Sequence, residues 1–329
     1  MADNSFCDIL NNQSNVFTQN HMEEIQMYFD LSGLWQADIG DGKVYPMQLP
    51  GTLDENRIGH KDLGQNQWHP DAALGNAEEG FNENAPIATR FTRKYTFEGE
   101  ARLTRRISFT PEEGKRVFLE AERVRYLRLL VDGKEVPHFS EGSLSTPHVF
   151  EVTGLLNGDN EITLLSDNSY PGLPHDAIVY SSAATDETQT NWNGVLGYLR
   201  LRVEEPVFLS ALRIYPDRDG ETLTVQAEVS ADRFWSGTLL VESGALKKEK
   251  SGAQEYAGYQ KKICVQPGLT RFVLEKLPLA GDVRRWDEEE GNLYELTARL
   301  SAKERQELAS RTETFGVRTF GDNGKGRLA

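Results

Sequence analysis

The stretch that decides the fold is DETQTNWNGVLGYLRLRV, residues 186–203. A polar loop with an indole at Trp192 runs straight into a segment where Leu199, Leu201 and Val203 alternate with Tyr198, Arg200 and Arg202. Period-two alternation marks a strand with one face in a core and the other turned outward. Trp192 lies between Asn191 and Asn193. An indole flanked by two side-chain amides suits a sugar: the ring covers C–H faces while amides and carboxylates hydrogen-bond the hydroxyls. On sequence physics alone, the same residues more readily suit a loop whose tryptophan plugs the end of a sandwich.

Outward from this stretch the chain remains strand-dominated. Upstream, Trp35 belongs to an opening strand after Leu31-Ser32-Gly33. Apolar-rich runs at 117–122 and 126–131 lead to Asp132-Gly133, the strongest hairpin signal in the chain. Segments 148–153 and 161–165 bracket an expected turn at Asn157-Gly158-Asp159-Asn160. Downstream, Glu204-Glu205-Pro206 reads as a domain boundary, since two acids and a proline interrupt a ladder. Beyond it Leu223, Val225, Ala227 and Val229, and later Tyr294, Leu296, Ala298 and Leu300, alternate with polar residues. These strands predict a small immunoglobulin-like sandwich, with a charged turn at 303–306 between two paired strands. Residues 1–27 read as a poorly ordered leader, with at most a short helical piece at 22–27. The stretch 49–96, rich in Gly, Asn, Asp, Glu and His, does not fit strands and is the second place to expect ligand contacts.

Composition narrows the function classes. The 329 residues are 38% hydrophobic and 26% charged, with a formal net charge of −15 and a pI near 5.0. That balance disfavours nucleic acid and anionic membranes, which need clustered Lys and Arg. No run approaches the ~18 apolar residues a membrane span requires. The first 27 residues lack a basic start and an apolar core, so no secretory signal is read and a cytoplasmic location is expected. Cys7 and Cys264 make no disulfide framework or metal-ligand spacing. His60, His69, His138, His148 and His175 also lack a metal-binding spacing and read as scattered loop histidines. No metal and no cofactor is expected. The segment GDNGKG (321–326) is not a phosphate loop, because Lys325 is followed by Gly.

Several motifs together point to a family. LSGLW (31–35), LPGT (49–52), the run from Val117 to Val136 and FEVTGLL (150–156) resemble the N-terminal sugar-binding domain of glycoside hydrolase family 2, as in β-galactosidases and β-glucuronidases. TNWNGVLGYLRL (190–201) is similar to the loop and strand that close that domain. WDEEEGNLYEL (286–296) and FGVRTF (315–320) resemble motifs of the following immunoglobulin-like domain, with Gly291 where a proline is usual. The resemblance covers roughly residues 28–329. It implies an all-β chain: a leader (1–27), a jelly-roll, galactose-binding-like sandwich (28–205), an immunoglobulin-like sandwich (206–319) and a linker (320–329).

In that family a catalytic (β/α)₈ barrel follows and supplies both glutamates, so no catalytic residue is expected among these 329. Retaining hydrolysis needs two carboxyl groups about 5–5.5 Å apart, and no pair of acids here has such a context. The resemblance also implies a sugar-contacting aspartate. Asp186, eight residues before Gly194, has the family's spacing. Asp186 as a turn residue, and Glu187 as its register-shifted equivalent, remain alternatives. The family's second sugar-contacting residue, an asparagine, has no match at 81–96. The expected substrate-binding set is therefore Asp186, Asn191, Trp192 and Asn193. The expected partners are a β-linked glycoside and a catalytic barrel of the same protein, with self-association through apolar surface as a further expectation. A free-standing carbohydrate-binding protein and a purely structural two-sandwich scaffold are the alternatives.

Overall fold

The computed structural model describes residues 27–61, 94–174, 191–245, 256–279, 282–302 and 307–318. Among them no helix occurs. Contacts divide the chain into two units that meet between Val203 and Glu204.

The first unit holds β1 (Met27–Asp30), β2 (Gly33–Asp38), β3 (Val44–Leu49), β4 (Gly51–Thr52), β5 (His60–Lys61), β6 (Tyr95–Thr96), β7 (Glu100–Phe109) and β8 (Arg116–Ala121). It continues with β9 (Tyr126–Val131), β10 (Lys134–Val136), β11 (His138–Ser140), β12 (His148–Glu151), β13 (Gly158–Asp167), β14 (Gly194–Val195) and β15 (Leu199–Glu204). A five-stranded sheet, β1-β15-β8-β12-β11, faces a six-stranded one, β10-β9-β13-β7-β2-β3. Their inward residues form one core, in which Leu119, Leu199 and Leu201 meet Trp35, Leu103 and Leu164. Trp35 is fully buried, so its indole N–H needs a partner, and it donates to Leu31 O at 3.1 Å.

The period-two readings hold strand by strand. In β15, Leu199 and Leu201 are fully buried, whereas Arg200 and Arg202 point outward. Asp132 and Gly133 take φ of 49° and 77°, the left-handed pair that a two-residue hairpin between β9 and β10 requires. Two readings need correction. The turn expected at 157–160 lies earlier, because β13 already begins at Gly158. Asn160 donates to Asp132 Oδ2 at 2.6 Å, tying its strand to the neighbouring hairpin, while its Oδ1 accepts the Asn157 N–H at 3.0 Å. The sandwich also starts at Met27, which opens β1 and pairs with Val203; residues 1–26 lie outside the described residues.

One feature of the first unit was not expected. All six residues of β8 are buried, although every second one faces away from the core. Phe118 on that outer face lies 4.8 Å below the Arg202 guanidinium and 5.1 Å from that of Arg116. Glu120 accepts from Arg200 at 2.9 Å and from Arg202 at 2.6 Å. Arg200 is itself stacked on the rings of Tyr28 (3.7 Å) and Tyr198 (3.9 Å). Planar guanidinium groups on aromatic faces thus roof this side of the sheet.

The second unit comprises β16 (Val207–Pro216), β17 (Thr222–Ala231), β18 (Trp235–Ala245), β19 (Tyr256–Val265), β20 (Gly268–Pro278), β21 (Leu293–Ser301) and β22 (Glu307–Gly316). Sheets β16-β17-β20 and β19-β18-β21-β22 enclose Val225, Val229, Leu239, Leu296 and Leu300. Seven antiparallel strands in two sheets make this the expected immunoglobulin-like sandwich. Residues 303–306 lie outside the described residues, and the strands on either side of them pair antiparallel. The Trp286 backbone N–H donates to Val317 O at 2.9 Å, and Arg318 lies 4.8 Å over the Trp286 ring. The two sequence motifs at 286–296 and 315–320 are therefore neighbours in the fold.

Candidate functional site

The loop carrying Asn191, Trp192 and Asn193 closes one end of the first sandwich. Its path is dictated by glycine. Gly194 has φ +134°, and a Cβ placed on it would sit 2.3 Å from Gly51 O. Only a residue without a side chain allows β14 to pair with β4, Gly194 opposite Thr52 and Val195 opposite Gly51. The Leu53 N–H then donates to Asn193 O at 2.9 Å. Thr52 and Glu55 bond reciprocally, Thr52 N–H to Glu55 Oε2 at 2.9 Å and Glu55 N–H to Thr52 Oγ1 at 3.1 Å. The LPGT and NWNG motifs, far apart in sequence, thus form one rigid corner.

A set of amides fixes the same corner from the other side. Asn168 Nδ2 donates to Asn191 O at 2.7 Å and to Phe97 O at 2.8 Å, and Asn191 Nδ2 returns a bond to Asn168 O at 3.1 Å. Asn193 is only 4% exposed. Its Nδ2 donates to Gly99 O at 2.8 Å and Ser166 O at 3.1 Å. Both amide hydrogens therefore hold backbone together, and the amide group of Asn193 faces inward.

Trp192 is half-buried and is held by a residue that sequence reasoning missed. Arg125, 6% exposed, lies in the turn between β8 and β9. Its Nε donates to Trp192 O at 2.9 Å, its guanidinium carbon lies 4.8 Å from the indole centroid, and its Nη1 donates to the hydroxyl of Tyr170. Tyr170 has φ +54°, a left-handed conformation that costs a tyrosine on the order of 1 kcal/mol and is held by its surroundings. In sequence, Arg125 is one more arginine in ERVRYLRLLV, and nothing in that pattern marks it as buried.

The turn that carries Arg125 is braced by two histidines. His148, 1% exposed, approaches Val124 O with Nε2 at 3.3 Å, while its Nδ1 accepts the Gly142 N–H at 3.3 Å and faces His138 Nε2 at 3.2 Å. These bonds require neutral His148 with its proton on Nε2. Burial pulls its pKa down from 6.5 to about 4, and burial lowers that of His138 as well. The reading of these two as loop histidines is corrected: they sit on the paired strands β11 and β12.

Asp186 and Glu187 lie outside the described residues, as does most of the 49–96 stretch. Of the expected binding set the structure brings Asn191, Trp192 and Asn193 to one sandwich end, and it adds Arg125, Tyr170 and Asn168 to them. Among the described residues no group of three or more His, Cys, Asp and Glu side chains could hold a metal ion.

The architecture is that of two β-sandwiches in succession. A sequence model of glycosyl hydrolases family 2 matches residues 207–318, the second sandwich. No curated protein matches the chain. Among solved structures the chain is similar to the β-glucuronidase of Bacteroides uniformis, with 17% identity, a TM-score of 0.64, and coverage of 92% of this chain and 34% of that one. It is also similar to a family 2 member from Bacteroides cellulosilyticus (14% identity, TM-score 0.60, 92% and 38%). A third match is the family 2 β-galacturonidase of Eisenbergiella tayi bound to galacturonate (19%, TM-score 0.59, 91% and 44%). These identities speak for the fold. The chain spans well under half the length of these relatives.

Proposed function

We propose that this chain is the carbohydrate-facing front portion of a family 2 glycoside hydrolase, acting with a catalytic barrel of the same protein on a β-linked glycoside. The observation that carries this reading is Trp192: a half-buried indole at a sandwich end, held on a corner stiffened by glycine, asparagine and a buried arginine. Such an aromatic surface takes the apolar C–H face of a pyranose, while a nearby carboxylate accepts its hydroxyls through charge-assisted bonds. In this proposal Asp186 supplies the carboxylate and Trp192 the stacking face, while the Asn191 amide, turned inward onto Asn168 O, holds the loop. Asn193 supports them from beneath. The fold shared with a β-glucuronidase and a β-galacturonidase favours a glycoside as ligand.

A half-site of this kind binds weakly, with Kd in the millimolar range, about −4 kcal/mol. The test is an NMR titration of the 329-residue chain with methyl β-galactoside and methyl β-glucuronide, following the tryptophan indole N–H signals. The Trp192 signal, assigned by its loss in Trp192→Phe, shifts with a millimolar Kd, and Trp192→Ala abolishes binding. No response to either glycoside overturns the reading. Micromolar binding favours the autonomous carbohydrate-binding protein instead.

A further inference from the structure

We propose that Arg125 is a positioning residue that presets the Trp192 indole as a stacking platform for a pyranose ring; this rests on the reading of Trp192 above. A partly exposed tryptophan has two free side-chain torsions, and ordering such a side chain on binding costs affinity. Arg125 removes that freedom beforehand. Its Nε–H is bonded to the carbonyl of the same residue whose ring it covers, so the guanidinium plane is registered to the Trp192 backbone as well as its indole. One face of the indole is thereby occupied, and the opposite face is the one left to a ligand.

The anchoring of Arg125 makes it a rigid backing. It is 6% exposed and its Nη1 donates to Tyr170, whose ring lies 5.7 Å from the guanidinium carbon. Tyr170 follows Asp167 and Asn168 at the end of β13, so the arginine links that strand end to the loop preceding β14. Its own turn is locked to the closing segment, since Leu196 N–H donates to Arg123 O at 3.2 Å and Gly197 N–H to Glu122 O at 3.0 Å. The contribution to binding is order, not charge. A cation on one face of the indole adds nothing to its attraction for C–H groups on the other.

The test compares Arg125→Lys with the wild-type chain in the same glycoside titration, with thermal unfolding and the ¹H–¹⁵N heteronuclear NOE of the Trp192 indole read alongside. Lysine keeps the charge and loses the planar fork, so it does not rescue. Binding weakens about five- to tenfold, in line with a lost stacking contact, and the Trp192 NOE falls. Should Arg125→Lys not fold, Tyr170→Phe keeps the ring and removes one acceptor, and a weakening of about threefold is expected. Wild-type affinity and an unchanged NOE in either variant overturn the proposal while leaving the function reading intact. Loss of binding with the NOE unchanged also overturns it. Absence of binding by the wild-type chain removes both.

Discussion

The side-chain amides of Asn168 and Asn191 each donate to the backbone carbonyl of the other, at 2.7 and 3.1 Å. This reciprocal latch joins the end of β13 to the loop that enters β14. Asn168 also accepts the Gly99 N–H on Oδ1 at 2.9 Å and donates to Phe97 O, so its one side chain ties the 97–99 segment and the 191 loop to the end of β13. Asn168→Ala leaves buried backbone groups without partners and lowers the stability of the first sandwich by about 1–3 kcal/mol. Urea unfolding of the two proteins measures the difference. An Asn168→Ala chain as stable as the wild type contradicts the latch.

Gly194→Ala strikes the same corner through the backbone. Its new Cβ falls 2.3 Å from Gly51 O, on a residue with φ +134°. Neither the carbonyl nor the β4 strand can give way cheaply. A loss of about 2–4 kcal/mol is expected, as for other substitutions at a special φ. Unfolding midpoints in urea at constant m value check it.

The roof over β8 predicts an effect away from the candidate site. Glu120, 6% exposed, is the shared acceptor of Arg200 and Arg202. Glu120→Ala brings two guanidinium groups together without their carboxylate, and a loss of about 3 kcal/mol follows. Replacing Arg202 by Met in the same chain recovers part of that loss, because two like charges no longer face each other. A double-mutant cycle reads the coupling directly.

The histidine pair gives the first sandwich a pH dependence with a definite sign. His148 titrates near 4 in the fold and near 6.5 when unfolded, so the unfolded chain binds the extra proton between these values. The stability that neutral His148 contributes is complete above pH 6.5 and is lost as the pH falls toward 4. The change is on the order of 3 kcal/mol across this range. The depressed pKa of His138 adds in the same direction, while Glu141, on the segment between them, opposes it. The hydrogen-bonded carboxylate of Glu151 is also held low, beside Arg116, so its contribution is lost only below about pH 4.5. Unfolding measured from pH 7.5 to 4 should therefore lose its steep part in His148→Gln. An identical slope in both chains contradicts this.

Much of the architecture was legible because burial on one face writes itself into alternation. The runs at 199–203, 223–229 and 294–300 are strands for that reason, and Asp132-Gly133 names its own turn. The site was legible only at Trp192 and its flanking asparagines. Arg125 was hidden because a buried arginine looks like a surface one until its stacking partner, 67 residues further along, is folded against it. The β8 outer face was hidden for the same reason: Phe118 and Glu120 are covered by side chains from β11, β15 and their own strand. Turn chemistry misled at 157–160, where β13 already begins at Gly158 and Asn160 both accepts the Asn157 N–H and reaches across to Asp132.

We propose that these two sandwiches precede a domain that performs the chemistry. The most direct measurement is the nucleotide sequence of the gene downstream of codon 329. An open reading frame is expected that continues into alternating strands and helices bearing two glutamates for acid–base and nucleophilic roles. A stop codon immediately after Ala329 in the native gene would contradict it.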